Sequence, residues 1–295
     1  MGRLKIDYGI DLGTTNSAIS RIEKGVSKIL EIENSKTVPS VVLYDRKGRV
    51  RVGNTAKNNP NDAFFEMKRE MGKKVLEKNP DAKTHDGEPI TPETLSSEVL
   101  KKLVERVNDE VFKSVVITVP ALFPSGATDA TKRAAKLAGF DQVEILMEPV
   151  AAATTFAMEN VGASGKWIVF DFGGGTFDAT LLEVEEGIIK VLSSDGDNLL
   201  GGGDLDRALI NEIMLPKIKE NHNIDGLDES KLKHLNNSLK NEADIIKIAL
   251  SFDGEYDYLS DTNQFGLDVD GNDIELEYTF NKDEVHKLFV PYYQR

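Results

Sequence analysis

The chain has 295 residues, 40% of them hydrophobic, and its 36 basic and 50 acidic side chains give a net charge of -14; this describes a globular protein too long for one small core and expected to form two domains. Such an acidic balance excludes broad, salt-dependent binding to nucleic-acid backbones, and the lack of cysteine excludes disulfides and thiolate metal sites, as suits a reducing cytoplasm. No apolar run reaches the length of a membrane span or of a signal-peptide core, so the reading is a cytoplasmic chain with no membrane partner.

Ile6, Tyr8, Ile10 and Leu12 alternate with Asp7, Gly9, Asp11 and Gly13, and apolar character resumes at Ala18 and Ile19. This predicts a β-hairpin with the polar tip Thr14, Thr15, Asn16 and Ser17. Residues 38–44 and 49–52 read as strands around a turn at Arg46, Lys47 and Gly48, followed by a polar segment through Pro60. A helical pattern begins near Asp62, with Phe64, Phe65, Met67, Met71 and Val75 on one side. Lys68, Arg69, Lys73 and Lys74 make a basic cluster of the kind that is usually just solvated. Residues 79–92 read as loop.

Leu95, Val99, Leu100, Leu103, Val104, Val107 and Val111 recur at helical spacing, with Thr94 or Ser96 as the start. A buried strand over 115–119 ends at Pro120, helices follow over 125–138 and 150–160, and a strand over 142–147 between them closes at Glu148 and Pro149. Alternating strands and helices indicate α/β layers.

The apolar run Trp167, Ile168, Val169 and Phe170 leads into Asp171-Phe172-Gly173-Gly174-Gly175-Thr176-Phe177-Asp178. Three adjacent glycines let the backbone turn tightly and aim bare N–H groups at an anion, and an aspartate at a strand end suits a hydrated divalent cation. The other reading is a turn whose glycines serve geometry alone. The stretch repeats Asp11-Leu12-Gly13-Thr14-Thr15, which also follows an apolar strand, so the chain reads as a duplication whose two hairpins face one ligand.

Strands over 178–184 and 188–193 come next, then the glycine cluster Gly201, Gly202 and Gly203 before Asp204. Leu205, Leu209, Ile213 and Ile218 mark one helix, and Leu232, Leu235, Leu239, Ala243, Ile246 and Leu250 another. Phe265, Leu267 and Val269 alternate up to Asp270-Gly271, and Ile274, Leu276 and Tyr278 alternate after it, a hairpin signal. A short helix starts near Lys282.

Several motifs fail. There is no G-x-x-x-x-G-K-[ST], no G-x-G-x-x-G after a strand and no G-x-S-x-G elbow. Asp268, Asp270 and Asn272 mimic an EF-hand, but Asp273 takes the glycine position and Thr279 the glutamate position, which argues against calcium. His85, His222, His234 and His286 are too scattered for zinc.

Two aspartate-tipped hairpins, a third glycine cluster and Glu148 directly after a strand remain as one constellation. With it the sequence resembles the seventy-kilodalton heat-shock chaperones, through their actin-like ATPase domain. The matching runs are Gly9-Ile10-Asp11-Leu12-Gly13-Thr14-Thr15-Asn16-Ser17, Val119-Pro120-Ala121, Glu148-Pro149-Val150-Ala151-Ala152-Ala153, the stretch from Asp171 to Asp178, and Leu200-Gly201-Gly202-Gly203-Asp204, in family order. The resemblance implies a duplicated actin-like (ribonuclease-H-like) α/β fold with a nucleotide cleft between two lobes. The first lobe spans 1–160 with a small inserted subdomain at about 38–92; the second spans 161–295 with a smaller subdomain at about 204–295.

It also implies Mg2+-dependent binding and slow hydrolysis of ATP to ADP by a chaperone-like, stress-response protein. Gly13, Thr14, Thr15 and Asn16 would cradle the β- and γ-phosphates, and Gly173, Gly174, Gly175 and Thr176 would do so from the other lobe. Gly201, Gly202 and Gly203 would add a third nucleotide contact, and Asp244, Lys247 and Ser251 one wall of the adenosine pocket. Lys68 would orient the attacking water, Asp11, Glu148 and Asp171 would hold magnesium through water, and Thr176 and Asp178 would lie beside the γ-phosphate. Taken singly, Lys68 reads as a surface lysine and Glu148 as a charge favourable at a helix N-terminus. Phosphoryl transfer to water needs mainly positioning and charge neutralisation, which a lysine, a metal and backbone donors supply. Expected partners are nucleotide and co-chaperones or nucleotide-exchange factors, on a monomer.

The sequence departs from the family at two places. Beyond Gly203 the only glycines are Gly226, Gly254, Gly266 and Gly271, each single, so the family's return strand, Gly-Gly segment and long final helix are not visible. The second lobe therefore reads as incomplete, with one adenosine wall missing. Leu122 stands where the family carries a tyrosine, and Thr128 near its arginine that couples ATPase to client domain. The alternatives are a nucleotide-impaired regulatory or scaffold fragment, or another actin-like protein such as a sugar kinase or a filament-forming relative.

Overall fold

The computed structural model describes residues 6, 8–45, 47–59, 63–77, 79–105, 114–160 and 162–295. They form two compact units, Met1–Gly201 and Gly202–Arg295, each of mixed α/β structure. Expectations at Asp7, Arg46, Pro60, Asp62, Val107 and Val111 lie outside the described residues.

In the first unit, β1 (Tyr8–Leu12) and β2 (Asn16–Glu23) form the expected antiparallel hairpin, and β3 (Val26–Ile29) adds to β2. All of β3 is solvent-exposed, so it has no hydrophobic alternation by which to be read. The strand expected over 38–44 divides into β4 (Val38–Pro39), which pairs with β2, and β5 (Val42–Tyr44), which pairs with β6 (Val50–Val52) and β7 (Ala63–Phe64) in a separate sheet. The chain changes sheets at Ser40, whose N–H donates to Thr15 O at 2.8 Å. A single turn, α1 (Asn54–Lys57), follows β6.

The helix expected from about 62 is not formed. Phe64 pairs with Val42 instead, Glu66 takes a left-handed conformation with φ 57, and a short 3₁₀ turn occupies Met67–Glu70 before Gly72 at φ 88. Two positive-φ residues this close leave room for only one turn. That turn buries Met67 and Lys68 together.

Helix α2 (Pro92–Val104) is capped by Thr91, whose hydroxyl accepts the Thr94 N–H while the Thr94 hydroxyl accepts the Thr91 N–H. This reciprocal cap places the start three residues earlier than Thr94. Strand β8 (Ser114–Val119) lies parallel to β1, α3 (Ser125–Leu137) crosses over, and β9 (Gln142–Met147) lies parallel to β8, so the sheet order is β3-β2-β1-β8-β9. Tyr8, Ile10 and Leu12 alternate inward to meet Leu95, Val99 and Leu103 of α2 and Ala127, Ala130 and Ala134 of α3. Helix α4 (Glu148–Glu159) begins directly at the end of β9, with Glu148 in its first turn and Pro149 just inside it, a position where proline's missing N–H costs nothing.

The unit closes with a third sheet of β10 (Gly165–Phe172), β11 (Phe177–Glu185) and β12 (Ile188–Asp197), all antiparallel. Phe156 of α4 packs edge-on against Trp167, with ring centroids 5.1 Å apart.

The second unit holds α5 (Gly202–Leu209), a π-helical turn at Ile210–Met214, α6 (Leu215–Asn221), α7 (Glu229–Phe252), the hairpin of β13 (Glu255–Leu259) with β14 (Glu277–Asn281), and α8 (Lys282–Tyr293). The single helix expected through Ile218 is interrupted because Pro216 has no N–H and its ring crowds the carbonyl four residues back, which the wide turn relieves. The chain turns back around Asp270-Gly271 as expected, with Leu267 bridged antiparallel to Asp273 and the Asp268 and Ile274 N–H groups donating to Asn272 O and Gly266 O. The regular strands, however, are β13 and β14, with Tyr256 opposite Phe280, and 260–276 is the loop between them. Phe265, Ile274 and Leu276 are buried from that loop, so their alternation marked burial, not a strand. The Asp268 carboxylate accepts the N–H groups of Asp270 and Asn272, an Asx turn that uses the side chain to shape the loop.

Because the Thr91 cap anchors the helix that backs β1 and β2, Thr91→Ala should destabilise the chain by about 1 kcal/mol. The check is chemical denaturation of both proteins.

Candidate functional site

The site gathers where two hairpin tips of the first unit meet. Asp11 lies next to last in β1, and Asp171 next to last in β10. Beyond them the chain turns at Gly13, Thr14 and Thr15 in one hairpin and at Gly173, Gly174, Gly175 and Thr176 in the other. Ser40 N–H on Thr15 O fastens the first tip, and Gly173 N–H on Thr176 O, at 2.9 Å, closes the second. The tips touch: a Cβ on Gly174 would overlap the Thr15 hydroxyl. Gly201 backs the second tip so closely that a Cβ there would overlap the backbone of 173–175.

An open cleft of about 500 Å³ lies at these tips. Asp11, Gly13, Thr14, Thr15, Asn16, Lys68, Glu148, Asp171, Gly173, Gly174 and Thr176 line it, all of them singled out from the sequence. Gly175 and Gly201 stand behind its wall. Asp178 lies opposite Asp171 in the hairpin register and is only 2% exposed; its carboxylate accepts the backbone N–H groups of Ala121 and Leu122. Its Oδ1 has no hydrogen-bond partner among the described residues.

Lys68 is 6% exposed, and its Nζ donates to Glu148 Oε1 at 2.7 Å. The 3₁₀ turn delivers the ammonium and the first turn of α4 the carboxylate. Burial is the largest influence on Glu148 and pushes its carboxyl above the usual range; the Lys68 ammonium opposes this, and the charges of Asp11 and Asp171 add to it. Asp171 is also raised, first by burial, with Lys68 opposing and Asp11 adding. For Asp178, burial and Asp171 raise the carboxyl against the lowering by the Leu122 and Ala121 N–H groups. The cleft thus concentrates carboxylate charge around one ammonium.

Such an oxygen-only, like-charged set suits a hard divalent cation that keeps part of its water shell. Among the described residues no three acidic or histidine side chains converge closely enough to grip an ion directly.

Four lining residues were not anticipated: Thr118, Ala151, Ala152 and Thr155. Thr118 pairs in register with Asp11 and places its hydroxyl 3.3 Å from Asp11 Oδ1. Its signal is a polar residue inside the apolar run Val115, Val116, Ile117 and Val119. Thr155 follows Ala151 by one turn of α4, so the two share a helix face towards the cleft. Arg69 left the expected solvated cluster: its side chain is 11% exposed and its Nε donates to Gly175 O at 3.0 Å.

The remaining candidates belong to the second unit. Gly202 and Gly203 open α5, while Asp244, Lys247 and Ser251 share a face of α7. Lys247 is held by Asp206 and lies 3.5 Å from Asp244, and the Ser251 hydroxyl donates to Lys247 O. Burial raises the Asp206 carboxyl, with Lys247 opposing.

The Hsp70 protein family model matches residues 7–295. The chain is 37% identical over 269 residues to a protein called Chaperone protein dnaK from Cyanidium caldarium, covering 82% of this chain and 43% of that protein. It is 41% identical over 256 residues to Chaperone protein DnaK of Mycoplasmopsis pulmonis, covering 84% of this chain and 41% of that one. With Chaperone protein DnaK of Thermus thermophilus the identity is 38% over 241 residues, covering 74% and 39%. The chain thus spans about two fifths of the length of the curated relatives it matches.

A carboxyl whose folded-state pKa is raised binds more protons folded than unfolded, so its contribution to stability falls as pH rises through the window between the two values. Asp171→Asn removes that penalty. Without ligand at pH 7.5 the variant should melt about 2 °C above the parent, with the gain shrinking as pH falls towards the ordinary carboxylate range. Paired thermal melts across pH check this, and a variant that melts lower at pH 7.5 would refute it.

Proposed function

The chain belongs to the Hsp70 family, and from that premise we propose that it binds Mg-ATP and slowly hydrolyses it to ADP and phosphate as an actin-like nucleotide-binding region of a chaperone. The observation that carries this reading is the buried Lys68, bonded to Glu148 in a cleft walled by two phosphate-type hairpin tips. A buried lysine needs a charged partner, and here it sits among three carboxylates, an excess of negative charge that a bound divalent cation would offset.

Backbone N–H groups of Gly13, Thr14, Thr15 and Asn16 on one tip, and of Gly174 and Thr176 on the other, would supply donors for the β- and γ-phosphates, while the Gly173 N–H is engaged by Thr176 O and shapes the second tip. Rigid donors aimed at developing charge need no reorganisation during reaction. Asp11, Glu148 and Asp171 would hold hydrated Mg2+, which when bound neutralises phosphate charge. Glu148 fixes the direction of the Lys68 ammonium, and Lys68 orients the attacking water. Asp178 acts from beneath, holding the Ala121 and Leu122 turn. Asp244, Lys247 and Ser251 are proposed to meet the adenosine, with Gly202 and Gly203 beside the phosphates and Gly201 supporting the second tip from behind. Co-chaperones, exchange factors and client proteins are proposed as partners of the whole protein, in the cytoplasm.

Lys68→Ala should lower the single-turnover hydrolysis rate about a hundredfold while Mg-ATP binding persists. Rapid-quench assays with radiolabelled ATP measure the first and calorimetry the second. Equal rates would remove Lys68 from the reaction. Absence of binding heat in the parent protein would favour a nucleotide-free regulatory role.

A further inference from the structure

We propose that Arg69 is a positioning residue that sets the orientation of the second phosphate loop, holding the Gly175 carbonyl behind the cleft so that the Thr176 N–H faces into it. This rests on the reading of the cleft as a phosphate site.

Lys68 and Arg69 are adjacent on the 3₁₀ turn Met67–Glu70, where successive side chains diverge by about a third of a turn. Lys68 enters the cleft to meet Glu148, and Arg69 passes behind the wall to donate to Gly175 O at 3.0 Å. The guanidinium is steadied on its other side by the Glu66 carboxylate at 3.8 Å, and Glu66 itself is held at a positive φ of 57. Lys73, by contrast, pairs with Glu77 in solvent.

The loop geometry explains what this bond achieves. Gly173 N–H on Thr176 O closes the hairpin, and Gly173, Gly174 and Thr176 line the cleft while Gly175 does not. A trans peptide is planar, so its C=O and N–H point in opposite directions. Fixing the carbonyl of the Gly175–Thr176 peptide on Arg69 therefore turns the Thr176 N–H to the other side of the loop, where Thr176 meets the cleft. The adjacent glycines leave that peptide free to rotate on its own. A planar guanidinium, always charged and with donors fixed in direction, restrains it better than a flexible ammonium. A Cβ at Gly175 would come within 2.6 Å of Thr14 Cγ2 and 2.8 Å of Arg69 Nε, so a larger residue there would have to displace one or both.

The test is calorimetry on the full chain with two probes, Mg-ADP and Mg-pyrophosphate. Arg69→Met should weaken both about tenfold at unchanged stoichiometry, the size expected for one charge-assisted hydrogen bond. Arg69→Gln, which keeps an N–H donor without the charge, should recover part of the loss. Unchanged affinities in Arg69→Met, a loss for Mg-ADP alone, or rescue by Arg69→Lys but not by Arg69→Gln would each overturn the proposal. The last would assign Arg69 a role through charge only. Should Arg69→Met fail to fold, the parent protein decides: its Arg69 Nε–H resonance should be protected from solvent exchange and shift on adding Mg-pyrophosphate, and a freely exchanging Nε–H would overturn the inference. If the parent binds neither probe, the phosphate reading itself falls; if it binds both and the variants match it, only the role of Arg69 does.

Discussion

Two backbone turns approach within atomic contact at Gly174 and Thr15, and the arrangement of the first unit follows from that approach. Each turn ends a hairpin whose first strand carries an aspartate next to last, so bringing the turns together brings Asp11 and Asp171 together as well. The sheet order then fixes the rest. β8 lies beside β1 and sets Thr118 against Asp11, while β9 lies beside β8 and hands the chain to α4 with Glu148 in its first turn. A helix N-terminus favours a negative charge, but three carboxylates in one cleft repel one another, and burial raises Glu148 and Asp171 despite Lys68. The backbone contact therefore creates an electrostatic problem that the protein alone leaves partly unsolved.

That residual charge links stability to binding. Carboxylates held above their ordinary pKa lower the stability of the empty chain at neutral pH, and whatever cation and phosphate enter would recover it through mass action on the folded state. The same residues thus weaken the fold and prepare the site. Lys68 and Arg69 divide the supporting work. The former faces into the cleft and balances charge; the latter faces away and restrains the loop.

Much of this was legible in the residues. The two hairpins, the β8 and β9 strands and α3 follow from apolar patterning, adjacent glycines and the repeat of Asp11 to Thr15 in Asp171 to Thr176, whereas the choice of Lys68 and the roles given to the other cleft residues came from the family resemblance. What was hidden has physical causes. β3 is exposed throughout and has no apolar face to betray it. Met67 and Met71 are buried at the spacing of a helix turn, yet Glu66 and Gly72 flank them with positive φ, a constraint that sequence periodicity does not carry. Around 265–276, alternation reflected a loop packed into a core by three apolar anchors.

Arg69 shows why the second layer of such a site is harder to read than the first. Residues that touch a ligand recur in motifs because ligand chemistry dictates them, whereas a residue that acts on a neighbouring peptide answers only to local geometry. Next to Lys73 and Lys74 in sequence, Arg69 looks like one more solvated charge. Its distinction comes from a carbonyl more than a hundred residues away in the chain, joined to it at 3.0 Å. The glycines that let the second tip approach the first also remove any side chain able to fix its peptides, so the restraint has to come from outside the loop. A guanidinium from the turn that delivers Lys68 is well placed to give it, and it ties the orientation of the loop's peptides to the same short turn that carries the ammonium.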